Sequence, residues 1–391
     1  GSMEMSGMRG LAMRLRLGKW RSESFFSNRN ISGRFDEKGH ATLQIDGLHQ
    51  TLTDQDRRKS LLLREWGHNL RYSSKNLRIG LAISKHVLSS KYGQAFNVLH
   101  IGLNGRHILK TGQLYWEMAS NEGLRPSIIL GGTFRIQRQL RIGSEILWQH
   151  PKIFSPLSTV RHEAHRSGMN NIQFSAAWTP NSSLSIRWDN RLNRSAQSGS
   201  IHHQDRNIHG QRFIVQYSLD PRNTLLLQYN GRFSKDKGTR PMETISSTAQ
   251  NQSQQYRLEW IHHLTASGIR LRHRLEVAHD PLQPDTKEQL GHLFFQDWLF
   301  SNETWQLGLR WTAFSIPSYA LRLYAFLPDV TQRFNIPVYF GEGIEWNLKC
   351  RYTIASWKVE ARITHRMKTG DEENQTAQVK TDMGLQLIYA F

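Results

Sequence analysis

The chain has 391 residues and one cysteine, Cys350, which excludes an intrachain disulfide framework and a cysteine-built zinc cluster. Lys and Arg number 51 against 32 Asp and Glu, a formal net charge of +19 that suits anionic partners, yet the basic residues are scattered singly through apolar stretches, with no polybasic tail. No apolar run reaches the roughly 18 residues a membrane helix needs, which leaves open a transmembrane strand barrel, where only every second residue meets lipid.

The opening "GSMEMSGMRG" holds no apolar leader. Two expectations follow: a cytosolic protein, or an exported one whose leader was processed, replaced or lies outside this sequence. From there the chain reads as strand after strand. In "LAMRLRLGKW", Leu11, Met13, Leu15 and Leu17 share a face opposite Arg14 and Arg16. "NLRIGLAIS" sets Leu77, Ile79, Leu81 and Ile83 against Arg78, Gly80 and Ala82, and "SSLSIRWDNRL" sets Leu184, Ile186, Trp188 and Leu192 against Arg187, Asp189 and Arg191. "QRFIVQYSL" aligns Phe213, Val215, Tyr217 and Leu219. In "GIRLRHRLEVAHD", Ile269, Leu271, Leu275 and Val277 alternate with Arg270, Arg272, Arg274 and Glu276. "WQLGLRWTAF" and "SWKVEARITHRM" repeat the scheme around Arg310 and around Glu360, Arg362 and Arg366, and the final "TDMGLQLIYAF" closes on Met383, Leu385, Leu387, Tyr389 and Phe391.

These segments predict roughly 18–20 strands of about 9–13 residues, longer than the soluble average of about 5–6 and near the length that crosses a bilayer at a tilt. Tight turns ("LDPRNT", "TPNSS", "TASG") alternate with long polar connections at 47–65, 154–168, 195–208, 236–252 and 369–377, the rim asymmetry of outer-membrane barrels. "LTDQDRRKSLLLREW" in the first long connection has the look of a short helix. "GEGIEW", with Gly341 and Gly343, reads as a close-packed turn or strand bend. Residues 1–391 are read as a single domain. The expected class is therefore all-β, a large antiparallel transmembrane β-barrel in the bacterial outer membrane, with lipid outside and a basic lumen inside. A soluble all-β binding protein uses the same alternation and is the competing reading. Strand number, strand length and the terminal aromatic residue favour the barrel, with Trp20, Trp66, Trp116, Trp188, Trp298, Trp305, Trp311 and Trp357 placed to form aromatic girdles.

Two stretches carry a family resemblance. "RGLAMRLRLGKWRSESFFSNRNISGRFD" followed by "DGLHQT", and "LRLYAFLPDVTQRFNIPVYFGEGIEWNLKCRYTI", resemble the C-terminal barrel of a Bacteroidota-type family of helix-hairpin-helix domain-containing proteins. The second stretch carries the resemblance on Tyr324, Phe326, Asp329, Pro337, Tyr339, Gly341, Gly343 and Tyr352. The resemblance implies a chain that forms the C-terminal part of a longer protein, with a signal peptide, a DNA-binding segment and further strands ahead of residue 1. It implies no activity residue by residue.

The candidate lumen-lining residues are Arg270, Arg272, Arg274, Arg310, Arg362 and Arg366 with Glu259, Glu276 and Glu360. Such arginines either line an anion-selective passage or bond to the glutamates in a network that fills the barrel, and the nearby glutamates favour the second. Phe391 is the candidate signal for the barrel-assembly machinery. Among 18 histidines the pairs His162/His165, His202/His203 and His262/His263 invite a metal, but adjacent strand residues point to opposite faces and "HEAH" lacks the helix of a zinc hydrolase. No metal, cofactor or catalytic residue is assigned, since no nucleophile elbow, P-loop or dinucleotide fingerprint occurs, although a Ser and a His on neighbouring strands of a barrel hydrolase would leave no motif. The functional expectation is a pore, transport or docking barrel whose partners are outer-membrane lipid and anionic solutes, with a DNA-binding or DNA-uptake barrel as the alternative.

Overall fold

The computed structural model describes residues 10–35, 41–43, 60–90, 95–121, 125–150, 167–197, 204–238, 247–264, 268–281, 290–331, 335–369 and 377–389. In chain order the strands are β1 (Gly10–Leu17), β2 (Trp20–Ile31), β3 (Gly33–Phe35), β4 (Ala41–Leu43), β5 (Leu61–Ser73), β6 (Leu77–Ser90), β7 (Ala95–Ile108) and β8 (Gly112–Asn121). β9 (Pro126–Arg135), β10 (Leu140–Gln149), β11 (Ser167–Trp178), β12 (Leu184–Gln197), β13 (Gln204–Asp220), β14 (Asn223–Gly238) and β15 (Ser247–Leu264) follow. The last are β16 (Ile269–His279), β17 (Leu290–Ser301), β18 (Trp305–Ile316), β19 (Leu323–Tyr324), β20 (Val338–Tyr339), β21 (Gly341–Ile354), β22 (Trp357–Lys368) and β23 (Gln378–Tyr389). A 3-10 turn, Tyr319–Leu321, precedes β19.

Nineteen of these strands form one sheet, and β3–β4 and β19–β20 pair separately. The sheet is all-β and antiparallel, the up-and-down meander from which transmembrane barrels are built. The expected strand number is met, and strand length runs from 8 residues in β1 to 18 in β15. The chain forms two compact units, one of residues 1–175, 191–208 and 235–249 and the other of 176–190, 209–234 and 250–391.

In the first unit β1–β2 and β2–β5 through β9–β10 are antiparallel neighbours. Their register lines up Leu70, Leu81, Leu103, Met118, Ile128 and Trp148 in one apolar row. In the second unit β15 to β18 and β18–β21–β22–β23 are neighbours. Leu271, Trp298, Leu309, Leu348, Ile363 and Met383 form one row there, and one residue along, on the opposite face, run Arg272, Asp297, Arg310, Asn347, Thr364 and Asp382. The two-residue side-chain period therefore separates an oily from a charged surface over six strands.

In the second unit the apolar face lies in the open and the ionic row is covered. Leu385 is 79% exposed and Leu275 43%, whereas Arg310 is 1%, Glu345 1% and Glu360 0% exposed. A soluble sheet has the opposite arrangement. Short turns punctuate the meander. Gly18 takes φ +57 in the two-residue link between β1 and β2, as a primed hairpin turn requires, and Ala355 takes φ 49 in the link between β21 and β22. Beside such turns sit cross-strand aromatic pairs: Trp20–Tyr72 at 5.1 Å in the first unit, and Trp305–Tyr352 at 4.4 Å and Trp357–Tyr389 at 4.7 Å in the second. They are the building blocks of an interfacial girdle.

Two details differ from the sequence reading. Leu61–Trp66, assigned to the first long connection and its short helix, is the start of β5. Three adjacent leucines satisfy either period, but pairing with β2 and β6 satisfies the backbone and places Leu61, Leu63 and Glu65 on the covered face. Likewise residues 195–197, 204–208, 236–238 and 247–252 extend β12 to β15 into connections that the sequence reads as loop. The rest of those connections lies outside the described residues.

Candidate functional site

The charged face of the second unit is roofed by the segment between β18 and β21. Residues 317–331 and 335–340, the described parts of this strap, do not form a surface loop. Leu321, Leu323, Ala325 and Leu327 alternate inward, 0–3% exposed, while Tyr324 and Phe326 point outward at 47% and 49%. With Ala278, Leu293, Phe295, Phe314, Ile316 and Tyr339, the first three of these four make an apolar cluster on the sheet. Burial of those side chains holds the strap down by its apolar edge.

Its polar groups are met by the sheet's ions. Arg310 makes a fork to Asp297, with Nε 2.5 Å from Oδ1 and Nη2 2.8 Å from Oδ2, and its Nη1 donates to the carbonyl of Phe326 at 2.5 Å. Arg272 shares Asp297 from the other side at 2.9 Å. Arg274 and Arg257 converge on Glu276, Nε to Oε2 2.8 and 3.1 Å. Phe295 lies beneath this group, with the Arg310 guanidinium 4.0 Å from its ring centroid; the ring face favours the cation.

Nearer β23 the strap brings its own acid. Asp329 lies 3.0 Å from Arg362, whose Nη2 also donates to Asp382 at 2.5 Å. Lys349 donates to the Asp329 carbonyl, and Glu360 accepts from Arg351 and from both the amide and the hydroxyl of Thr331. Arg366 donates to Glu345 at 2.6 Å, and the Tyr339 hydroxyl donates to the same carboxylate at 2.6 Å. Burial, and then the Glu345 charge, push the Tyr339 phenol well above its ordinary range, so it remains a neutral donor.

Of the residues singled out from the sequence, Arg272, Arg274, Arg310, Arg362, Arg366, Glu276 and Glu360 lie in this ionic field. Glu259 stands 4.0 Å from Arg272, and Arg270 is exposed near the end of β16. Asp297, Asp329, Glu345, Arg351 and Tyr339 complete the field and were not among the lumen candidates, although Asp329 and Tyr339 are two of the residues that carry the family resemblance. Asp297 is hidden within the apolar "LFFQDWLF", and Asp329 and Tyr339 belong to the strap beyond Pro328, where its alternation breaks off. Phe391 lies outside the described residues, as do His162, His165, His202 and His203. His262 Nδ1 donates to Asn223 Oδ1 at 2.5 Å, and among the described residues no group of three or more His, Cys, Asp or Glu is arranged to hold a metal. Gly341 takes φ 77 and a Cβ on Gly343 would stand 2.3 Å from the Met367 carbonyl, so "GEGIEW" is the tight return from strap to sheet.

No protein-family model matches the chain, and no curated protein matches it. Solved structures do. The copper transporter OprC aligns over 96% of this chain and 61% of its own, with 11% identity and a TM-score of 0.46. The FrpB iron transporter from Neisseria meningitidis, in its F5-1 apoprotein form, aligns over 97% and 78% with 9% identity and a TM-score of 0.43. OccK10 (OpdN) of Pseudomonas aeruginosa aligns over 98% and 99% with 11% identity and a TM-score of 0.38. These are distant likenesses, and the reading of function rests on the geometry above.

Proposed function

We propose that the chain is an integral outer-membrane β-barrel protein whose charged face lines a basic, water-filled passage for anionic solutes, narrowed by the strap between β18 and β21. The observation that carries this reading is the pair of adjacent rows in the second unit, one apolar and in the open, the other ionic and covered. Lipid is the surrounding that suits the first row, and water with buried partners suits the second. The chain's net charge of +19 would lower the barrier for negative ions. On this reading the strap is the constriction, because arginines clamp its backbone carbonyls over the ionic row. Insertion would need lipid and the barrel-assembly machinery as partners.

The test is reconstitution of the folded protein into planar bilayers. The expected result is heat-modifiable migration in electrophoresis and discrete conductance steps with chloride passing more readily than potassium. A protein recovered in the soluble fraction with no mobility shift would overturn the reading. Salt-dependent retention of DNA without conductance would move it to DNA handling.

A further inference from the structure

The first unit carries a second concentration of positive charge, far from any strap residue in the chain and built quite differently. The β1–β2 turn and the β5–β6 turn are stitched together, with the amide of Ser73 donating to the Lys19 carbonyl at 2.8 Å. Between them opens a cavity of about 450 Å³ lined by Arg14, Arg16, Lys19, Arg21, Arg71 and Arg78. That volume is in the range of roughly 300–1,000 Å³ typical of small-molecule sites.

The register makes the charge hard to explain structurally. Arg16 sits directly opposite Arg21, and Arg21 directly opposite Arg71, three guanidinium groups side by side on three strands. One strand further, Arg78 lies opposite Arg106. Like charges in directly opposed positions destabilise a sheet. The compensation is small: Glu23 takes Arg14 at 2.7 Å and Arg21, while Arg16, Lys19, Arg71 and Arg78 form no ion pair among the described residues. The Nε of Arg21 is buried without a hydrogen-bond partner. In the second unit nearly every arginine of the covered face has its carboxylate; here the sheet holds an excess of forked donors around an open space.

We infer that this cavity is a binding site for a compact, multiply charged phosphate-bearing anion. Planar guanidinium forks match phosphate oxygens two at a time, and one such ligand would offset the mutual repulsion of the row. The arginines share the face opposite Leu15 and Leu17, so the ligand is a soluble solute and not the phosphate of a lipid headgroup. The inference needs no conductance; its choice of a soluble source rests on the proposed membrane setting of the leucine face.

The experiment is isothermal titration of inorganic pyrophosphate into the full chain in nonionic detergent. Saturable one-to-one binding is expected, weakening as ionic strength rises. Arg71→Gln/Arg78→Gln should weaken it at least tenfold, whereas the charge-matched pair Arg141→Gln/Lys380→Gln, on exposed positions elsewhere, should leave it within twofold. Because the substitutions relieve repulsion, the heat-modifiable fold should persist; the single variant Arg16→Gln, at an exposed position on β1, supplies the same reading with a several-fold loss. Absence of saturable binding, or equal weakening in both double variants, would overturn the site. A second arm repeats the titration in bilayer discs of neutral lipid and of anionic phosphatidylglycerol. Equal affinity is expected, and loss of pyrophosphate binding in the anionic discs would overturn the soluble source.

Discussion

Arg310 is a guanidinium removed from solvent on a sheet that leaves leucines in the open. Its five donors reach Asp297 twice and the strap carbonyl of Phe326, so a neutral replacement leaves both acceptors short. Breaking a buried pair from one side typically costs about 3–5 kcal/mol. Arg272 remains on Asp297, so Arg310→Met should fall at the low end, about 3 kcal/mol, read as a lower urea midpoint for unfolding from lipid vesicles. The double change Arg310→Met/Asp297→Leu should recover only part of the loss, because it removes the orphaned Asp297 carboxylate but leaves Arg272 with Glu259 at 4.0 Å as its remaining carboxylate. Tyr339 gives a second, pH-dependent expectation. Its folded pKa is raised, so its contribution is complete below the ordinary phenol value of about 10 and is lost as pH climbs beyond it, where the unfolded chain ionises first. The alkaline side of the stability profile should therefore flatten in Tyr339→Phe, at a cost of about 1 kcal/mol near neutrality for the lost bond to Glu345. An unchanged alkaline slope would count against this account.

The strap is the element on which the site depends, and its two edges hold it by different physics. One edge is apolar, with Leu321, Leu323 and Ala325 in the cluster, and the other is a ladder of carbonyls taken by arginine and lysine. Leu323→Asp places a carboxylate in the apolar cluster, where the unpaired charge costs more than the cluster returns. The strap should then lift while the strands remain paired. Expected readouts are retained heat-modifiable migration, faster tryptic cleavage after Arg322 and a larger single-channel conductance. If cleavage and conductance both match the parent protein, the strap is not the constriction. Sequence rhythm could not announce this element. Its inward alternation, Leu321 to Leu327, looks like one more strand, but Pro328 and Pro337 remove ladder donors and the partner surface is a sheet face assembled from strands distant in the chain.

At the scale of the molecule the expectation concerns the medium around the sheet. Leu275 lies mid-strand on the exposed apolar face, 43% exposed, opposite the ionic neighbours Arg274 and Glu276. If lipid covers that face, Leu275→Arg should cost about 2–4 kcal/mol in refolding into vesicles, as a charge at bilayer depth does. In water an exposed Leu→Arg change costs within about 0.5 kcal/mol, so the two media give separable answers.

The alternation alone determined the strand class, the approximate strand number and which residues share a face, because a two-residue period is a property of the backbone and survives any surroundings. Arg272, Arg274 and Arg310 could be placed together on a charged face from their spacing. Which ion meets which partner was decided by register between strands, as when Asp297 falls between Arg272 and Arg310, and register is set by pairing across the whole sheet. The same holds for the row of opposed arginines Arg16, Arg21 and Arg71, whose members are spread over fifty-odd residues and meet only because β1, β2 and β5 are neighbours. Local pattern specifies what each face is made of; long-range pairing specifies what its charges do.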